Sequence, residues 1–415
     1  MTNDLGAPAQ PLAGLRVLEL GQIYNGPYCG LLFAHLGAEV IKIEAPRGEL
    51  LRFRADPSVE SREFLMLNSS KQSLPLDLKS ETGRAVFLDL VERSDVVIEN
   101  FSVGVMDRLA LSYDRLRAQN PRIVYARGTG YGAEGPHANL QAMDLTVQAI
   151  AGVISSTGFA DGPPVKTGPA FADFIAGVHL FAGAVAALYQ RDRTGEGSLV
   201  ETAMYDAVFP TLASPLSACL ARDDVPERVG NRHSGLSVAP YNIYAASDGY
   251  VAIFCVSNRH WRRLAQCMGH PALLNDERFT TPYLRARHMD EIDAAVEAWT
   301  STKSRAEVFE RLAAAEVPGA PVQTVEEVAR DPHLVGNGMS QTVEHPVLGS
   351  TVVPGSAIRF PGSPPICRLA PRLGEHTRTV LRNVLGYDDA TIDGLAHDGV
   401  VTIREEEPAG SSMEQ

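Results

Sequence analysis

Cysteine is scarce in this sequence, and its arrangement does not suggest a disulfide framework or a structural zinc site. The five cysteines are scattered, odd in number and without CxxC spacing. Proteins of reducing compartments use cysteine in this way, so a cytoplasmic protein is expected. The first dozen residues lack a basic segment followed by an apolar run, and no window approaches the roughly 20 apolar residues that span a bilayer. We therefore expect neither a secretory signal nor a membrane-spanning helix.

Basic residues are also fewer than acidic ones. The sequence has 37 Lys and Arg against 50 Asp and Glu, which gives a formal net charge of -13 at pH 7. A protein this acidic is not expected to attract nucleic acid or an anionic membrane through its overall field. An anionic ligand would have to be held by a few local arginines and lysines. The length of 415 residues and the hydrophobic content of 45% are typical of a folded enzyme with two domains.

Strand and helix signals alternate along the first half of the chain. Residues 14–20 are predicted to form a buried strand, residues 27–37 a helix with Pro27 in its first turn, and AEVIKIE a second strand. The alternation continues to about residue 200, which predicts an α/β fold with a parallel, doubly wound sheet. The first strand-to-helix turn, GQIYNG, lies where open α/β sheets bind ligands. It lacks the GxGxxG pattern, so a nicotinamide or flavin dinucleotide is disfavoured.

The pattern changes after residue 222. Gly, Pro and charged residues in DDVPERVGNRHSGLSVAP predict a domain boundary, and YNIYAASDGYVAIFCVS predicts a β-hairpin that three helices follow. We therefore divide the chain into a large Rossmann-like domain over residues 1–222, a smaller α+β domain over 223–335, and a C-terminal return to the large domain over 336–415. The tail of that last part is expected to be disordered.

One carboxylate stands at the start of an apolar segment of small residues. Asp173 follows the turn VKTGPAF and precedes FIAGVHLFAGAVAAL, which is predicted to be a helix. Acidic residues are seldom fully buried without a partner or a function, so Asp173 is a candidate nucleophile or base. The alternative is that Asp173 is only the N-cap of this helix. Upstream, residues 140–154 are predicted to form a buried helix that carries Asp144.

Several segments, taken in order, are similar to one family. They are GLRVLELGQIYNGPYCGLLFAHLGAEVIKIEAPRGE, NSSKQSLPLDLK, IENFSVGVMDRL, the Asp173 segment, VETAMYDAV and PRLGEHT. Together they resemble the class III coenzyme A transferases, which include formyl-CoA and carnitine-CoA transferases. The resemblance covers nearly the whole chain. It implies a large Rossmann-like domain built from both chain ends, a smaller domain between them, and an interlocked homodimer.

The resemblance also implies an activity and a site. Asp173 matches the catalytic aspartate, which would carry coenzyme A from an acyl-CoA donor to a small carboxylic acid through mixed-anhydride and aspartyl-CoA thioester intermediates. Coenzyme A would be a co-substrate, and no metal or redox cofactor is expected. The positions that would contact coenzyme A are Ile23, Tyr24, Asn25, Arg47, Lys71, Asn100, Phe101, Arg108 and Met204.

These contacts would have different tasks. Lys71 and Arg108 would hold phosphates, whereas Arg47 lies near a family arginine position but not squarely on it. Phe101 or Tyr24 would pack on the adenine. Because the first turn of a helix leaves its amides unpaired, the amides that follow Asp173 are expected to stabilise the oxyanion.

Two departures from the family pattern concern the substrate. Gln141 stands about where formyl-CoA transferases have a lysine, so the phosphate contacts differ. The stretch FCVSNRHW lacks the run of glycines that closes over the reacting carbonyl in those enzymes, which argues against formate or oxalate. The arginines of this stretch and of residues 47–62 suggest a second carboxylate on the substrate.

Two other functions stay open. The α-methylacyl-CoA racemases share the fold and use a His/Asp pair as acid and base, but the corresponding position here reads Met143 and Asp144, which removes one proton carrier. Asp144 is then expected to orient or cap a neighbouring element. An inert CoA-binding subunit would keep the phosphate contacts and have no use for Asp173.

Overall fold

The structure is a computed structural model that describes residues 10–54, 56–221 and 226–404. The predicted disorder of the tail after residue 404 therefore lies outside the described residues. The strands are β1 (Arg16–Glu19), β2 (Glu39–Glu44), β3 (Gln72–Pro75), β4 (Val96–Glu99), β5 (Val124–Thr129), β6 (Leu199–Ala203), β7 (Tyr241–Ala246), β8 (Gly249–Phe254), β9 (Gly319–Pro321), β10 (Ser340–His345) and β11 (Gly349–Pro354).

Helices connect these strands and cover their faces. The α-helices are α1 (Asn25–His35), α2 (Arg62–Asn68), α3 (Glu81–Glu92), α4 (Val105–Arg108), α5 (Tyr113–Gln119), α6 (Asp144–Ile150), α7 (Phe171–Thr194), α8 (Met204–Val208), α9 (Ala213–Ala221), α10 (Asn258–Cys267), α11 (Pro282–Arg287), α12 (Met289–Thr300), α13 (Arg305–Ala314), α14 (Val325–Ala329), α15 (Pro332–Gly336), α16 (Thr377–Val380) and α17 (Asp389–His397). Short 3₁₀ turns occur at Phe209–Leu212, Pro271–Leu274 and Glu277–Phe279, and a π-helical turn occurs at Leu381–Leu385.

Strands β1 to β6 form one parallel sheet in the order β3-β2-β1-β4-β5-β6. Successive side chains of a strand point to opposite faces, so Val17 and Leu18 belong to different hydrophobic clusters. Helices α1 and α7 cover the face of Val17, and α3 and α5 cover the face of Leu18. The predicted α/β fold with a parallel sheet is confirmed.

Local signals in the sequence locate several helix ends. Ser80 is the N-cap of α3, and its hydroxyl accepts a hydrogen bond from Gly83 N at 2.9 Å. Pro27 lies in the first turn of α1, as predicted. The predicted buried helix over residues 140–154 was wrong in length and burial. Only α6 forms there, and its Leu145 is 53% exposed.

Helix α7 differs from the expectation that no segment could span a membrane. Among the described residues it is the one helix long and apolar enough to do so by length and composition, with 24 residues and a mean hydropathy of 1.8. Its side chains pack in a protein core, however: the ring of Phe181 meets that of Phe33 of α1 at 4.9 Å, and Leu180 and Ala184 lie in the same cluster. Helix α7 is therefore a core helix of the sheet domain.

Contacts within the chain define two compact units. Unit 1 comprises the residues up to Val147, Ala170–Val208 and the residues from Ala329 on, and unit 2 comprises Gln148–Pro169 and Phe209–Val328. These limits differ from the boundaries drawn in the sequence at residues 222 and 335, and residues 148–169 account for most of the difference. Polar contacts hold that segment in unit 2, because the Arg228 guanidinium donates to the carbonyl oxygens of Ser155, Phe159 and Gly162. Such a contact cannot be predicted from the hydrophobic pattern of the sequence.

Unit 2 is an α+β arrangement around a small antiparallel sheet. Its strands have the order β7-β8-β9, and the hairpin turns between Ala246 and Gly249, where the sequence predicted it. Helices α10, α12 and α13 supply the core beneath the sheet, in which Trp261, Val296 and Leu312 are buried. The three predicted helices are thus present.

The last part of the chain completes the sheet domain of unit 1. Val401 pairs with Leu76 just beyond β3, and Asp77 N donates to Val400 O at 2.8 Å. Buried side chains of α16 and α17, such as Val380, pack in the same cluster as side chains of β1 and β2. The core of unit 1 is therefore built from both ends of the chain.

Candidate active site

A cavity of about 310 Å³ lies in unit 1 at the carboxyl ends of β1, β4 and β5. The strand order reverses between β1 and β4, and ligands of open α/β sheets bind at such a switch point. The wall comes from the loops that follow these strands, from residues 138–143 and from the start of α7. Six of the ten residues predicted for the site line it: Ile23, Asn25, Asn100, Phe101, Asp173 and Met204.

The turn between β1 and α1 forms one side of the cavity and is held by two side chains. The Asn100 amide accepts from Gln22 N at 2.7 Å and donates to Gln22 O at 3.0 Å. Ile23 has a φ of 64°, which a β-branched residue rarely adopts, and its N–H donates to Glu49 Oε2 at 3.0 Å. Asn100 thus has a structural task in addition to its place in the wall.

Asp173 lies in the first turn of α7, faces the cavity and is 9% exposed. Burial raises the pKa of its carboxyl to about 7, and the negative charge of Asp144 adds to this effect. Within the described residues no cation forms an ion pair with Asp173. A carboxyl with these properties is typical of functional sites.

Asp144 caps helix α7 from outside the helix. Its Oδ1 accepts from the backbone N–H groups of Ala172 and Asp173 at 2.8 and 3.3 Å. The idea that Asp173 is itself the N-cap was therefore wrong, since Ala170 occupies that position. The expectation of free amides at this helix start was also wrong, because the Asp144 carboxylate occupies those of Ala172 and Asp173. The N–H of Phe174, which follows Asp173, donates to Ala170 O at 3.3 Å.

Lys71 lies in a buried ion pair and not at a phosphate site. Its Nζ donates to Glu19 Oε2, Pro27 O and Asn68 Oδ1, each at 2.8 Å, and the residue is 3% exposed. An ammonium group has three donors, so none is left for a phosphate of coenzyme A. Burial lowers the pKa of Lys71 to about 8, against the opposing charge of Glu19. The predicted contact between Lys71 and coenzyme A conflicts with this geometry.

The other three predicted residues also lie outside the wall of the cavity. Arg47 and Arg108 are exposed at the surface. Tyr24 is the N-cap residue of α1, and its ring stacks on that of Phe174 with centroids 5.8 Å apart. Because Phe174 already covers one face of this ring, Tyr24 is poorly placed to pack on an adenine.

The glycine-rich end of β5 is the part of the site that the sequence analysis did not assign. A Cβ on Gly128 would lie 2.7 Å from Asn25 Oδ1 and would displace that side chain, and a Cβ on Gly130 would lie 2.0 Å from Cβ of Ala142. Both glycines let the chain segments of the wall approach one another. These glycines stand in the sequence ARGTGYG, and their place beside the β1–α1 turn follows once the strand order is known.

Comparison with known proteins adds to this geometry. The sequence model of CoA-transferase family III matches residues 12–377. The chain belongs to this family. A formyl-CoA:oxalate CoA-transferase of Streptomyces coelicolor is 39% identical over 412 residues, which cover 95% of this chain and 100% of the relative. A succinyl-CoA:mesaconate CoA-transferase of Haloarcula marismortui is 35% identical over 397 residues, which cover 92% and 98%.

The fold of this chain is also similar to that of a solved structure. A CAIB/BAIF family protein from Brucella suis superposes with a TM-score of 0.80 at 33% identity and covers 91% of this chain and 100% of that one. The resemblance inferred from the sequence motifs is thus confirmed, as is the expectation of an enzyme that transfers coenzyme A to a carboxylic acid.

Proposed function

We propose that this CoA-transferase moves coenzyme A from an acyl-CoA to a dicarboxylic acid and that Asp173 is its nucleophile. The proposal rests on the position of Asp173, a buried carboxylate without a paired cation in the described chain that faces the cavity at the switch point. Burying an unpaired carboxylate is unfavourable, so such a residue is usually retained for chemistry. With a pKa of about 7, roughly half of the Asp173 side chains are ionised at neutral pH.

The transfer then proceeds by two exchanges on one carboxylate. Asp173 attacks the thioester carbonyl, the CoA thiolate leaves, and a mixed anhydride remains. The thiolate attacks the Asp173 carbonyl carbon and expels the carboxylate of the donor acid, which gives an aspartyl-CoA thioester. The acceptor carboxylate attacks this thioester and expels the thiolate, which then attacks the acceptor carbonyl and releases the Asp173 carboxylate. Each step exchanges one leaving group for one nucleophile, and no proton or redox partner is consumed.

Two observations favour a dicarboxylic acceptor. Oxalate and mesaconate, the acids in the names of the two relatives, are both dicarboxylic acids, whereas the formyl and succinyl donors differ. In this chain Arg47, Arg52 and Arg54 lie in the connection between β2 and α2, and Arg62 begins α2. Arg52 is buried and paired with Glu44, and Arg54 contacts Tyr24, which leaves the exposed Arg47 and Arg62 for a second carboxylate.

Arg108 is the best placed of the predicted cations for a phosphate of coenzyme A. Its guanidinium lies 3.2 Å from the position of a Cβ on Gly104, and the neighbours of Gly104, Val103 and Val105, line the cavity. Exposure at the rim suits a strongly hydrated phosphate. Contacts of coenzyme A with Ile23, Asn25, Asn100, Phe101 and Met204 are proposed on the same basis, since these residues form the wall. The interlocked homodimer, the cytoplasmic location and coenzyme A as the only cofactor stay predictions.

Labelling of the nucleophile tests this function. Incubation with an acyl-CoA and hydroxylamine should convert Asp173 into a hydroxamate, and peptide mass spectrometry should find the change on that residue alone. Asp173→Ala and Asp173→Asn should abolish transfer while coenzyme A still binds. Asp192→Asn is a matched control, because Asp192 lies at the exposed end of the same helix.

Three results would contradict the proposal. Normal transfer by Asp173→Ala would remove the nucleophile from the mechanism. Deuterium exchange at the α-carbon of a 2-methylacyl-CoA, without transfer, would favour the racemase, and binding of coenzyme A without any turnover would favour the inert subunit. A panel of mono- and dicarboxylic acids, analysed by mass, identifies the acceptor class.

A further inference from the structure

Asn25 is a buried amide without a partner among the residues that the structure describes. It is 2% exposed, and its Oδ1 has no hydrogen-bond partner. Its Nδ2 also donates to no group of the described chain, although the residue lines the cavity. An unpaired buried polar group destabilises a protein by about 1–3 kcal/mol, so it needs an explanation. Oδ1 is an acceptor and would need a donor, whereas Nδ2 is free to donate to an acceptor atom of a ligand in the cavity.

Asn25 is packed against helix α7 one turn after Asp173. A Cβ on Gly177 would lie 2.8 Å from Asn25 O, and a Cβ on Gly128 would lie 2.7 Å from Asn25 Oδ1. Gly177 follows Asp173 by four residues, so the two lie on the same face of the helix, one turn apart. The backbone of Asn25 therefore packs against α7 one turn after Asp173, and both residues line the same cavity.

The start of helix α1, where Asn25 lies, also offers unpaired hydrogen-bond donors. The helix has no side-chain cap, and the N–H groups of Asn25 and Gly26 donate to no group in the part of the chain that the structure describes. Unpaired amides and the helix dipole favour negative charge at this end. At the start of α7, by contrast, Asp144 occupies the amides of Ala172 and Asp173. Donors for an oxyanion are thus available at α1, whereas the amides of Ala172 and Asp173 at α7 are occupied.

We propose that the side-chain amide of Asn25 donates a hydrogen bond to the carbonyl oxygen of the acyl group that Asp173 attacks. This inference rests on the proposed function. As Asp173 attacks, the π electron pair of the carbonyl moves onto its oxygen, and the Asn25 N–H binds the oxyanion. The pair returns to the carbonyl when the thiolate leaves, and no proton is transferred. Asn25 is then a catalytic residue and not only a contact of coenzyme A.

Substitution of Asn25 in the full-length protein tests the inference. Asn25→Ala should lower kcat about 100- to 1,000-fold, the usual effect of removing one oxyanion donor. Its Kd for coenzyme A should change far less than its kcat. Its Tm should not fall by the amount that the loss of a hydrogen bond causes, because the amide has no partner among the described residues. Asn25→Asp, which has the same shape and no donor, should lose kcat as well.

Asn100→Ala is the matched comparison, because the Asn100 amide makes two hydrogen bonds to Gln22. It should lower Tm, whereas Asn25→Ala should not. If both variants lower Tm equally, Asn25 is a structural residue and the inference is overturned. A normal kcat with weaker binding of coenzyme A overturns it as well.

Hydroxamate formation on Asp173 separates this inference from the function on which it rests. If the wild-type protein forms no adduct, the proposed nucleophile is wrong. If the wild type forms the adduct and Asn25→Ala forms it at the same rate, the nucleophile stands and the role of Asn25 is overturned. Slow adduct formation in Asn25→Ala at unchanged Tm supports both.

Discussion

The carboxylate of Asp144 accepts a hydrogen bond from the backbone N–H of Asp173 at 3.3 Å, and its charge helps to raise the pKa of the Asp173 side chain. One residue thus fixes the start of α7 and also opposes ionisation of the proposed nucleophile. The two effects can be separated, because asparagine keeps the acceptor oxygen and lacks the charge.

Asp144→Asn should shift the acid limb of the pH profile of kcat/KM to lower pH. Burial alone would then hold the pKa of Asp173 above its ordinary value, since the like charge is gone. Activity at pH 6 relative to pH 8 should therefore increase. Asp144→Ala should also lose the cap, which lowers the free energy of unfolding by about 1 kcal/mol. An acid limb that stays at the same pH in Asp144→Asn would show that Asp144 does not act through its charge.

Asp173→Asn should stabilise the protein, and the gain should depend on pH. The pKa of Asp173 is raised from 3.8 to about 7, so the folded state holds this proton more tightly than the unfolded state. The resulting stability is fully present below pH 4 and is lost as the pH rises through 7. Asparagine does not titrate, so the gain should grow between pH 4 and 7 and reach up to about 4 kcal/mol. Urea unfolding at pH 5 and pH 8 measures it, and equal gains at both values would contradict the pKa.

Lys71→Met should affect stability more than the affinity for coenzyme A. Removing one partner of a buried ion pair typically costs about 3–5 kcal/mol, and the Lys42 ammonium, 3.4 Å from Glu19, should keep the loss near the lower end. Arg108→Ala is the comparison, because Arg108 is exposed. It should leave stability unchanged and weaken coenzyme A binding in a salt-dependent way, measured by calorimetry. Weaker binding of coenzyme A in Lys71→Met without loss of stability would support the predicted contact between Lys71 and a phosphate.

Two helical glycines should respond to alanine with opposite signs. Gly177→Ala should destabilise the protein by about 1–3 kcal/mol and lower activity, because the new methyl group meets Asn25 O at 2.8 Å. Gly394→Ala in α17 should stabilise it by up to about 1 kcal/mol, since no atom lies within 4 Å of the new Cβ and alanine favours a helix. Thermal unfolding measures both. A Gly177→Ala variant as stable as the wild type would mean that α1 and α7 tolerate separation.

Local signals made much of the fold predictable. The alternation of apolar strands with capped helices was sufficient for the parallel sheet, and Ser80 and Pro27 marked helix starts because capping depends on residues only a few positions apart. The carboxyl ends of the strands then indicated where a ligand binds. Asp173, as an acid at the start of an apolar helix, was visible for the same reason.

Contacts between distant residues were not predictable in this way. Lys71 has the sequence signature of any surface lysine, and its partner Glu19 lies 52 residues away. The sequence indicated that Asp144 orients or caps a neighbouring element but not which one, since the first-turn amide at Ala172 lies 28 residues further on. Such pairs leave no periodic pattern in the sequence. A charged residue at a strand end is predicted to be exposed to solvent until the positions of the neighbouring strands are known. The role of Asn25 also required the structure, because only packing shows that an amide is unpaired.

The closing of the β3 edge by Val400 and Val401 has a consequence for biosynthesis. A ribosome releases the chain from its N-terminus, and domains tend to fold in that order. Strands β1 to β6 emerge in the first half of translation, but the hydrophobic cluster on one face of their sheet stays incomplete until residue 401 has been made. During that interval the exposed apolar face and the unpaired strand edge are open to wrong contacts. Stop codons introduced shortly before residue 400 should therefore yield aggregated protein that chaperones bind.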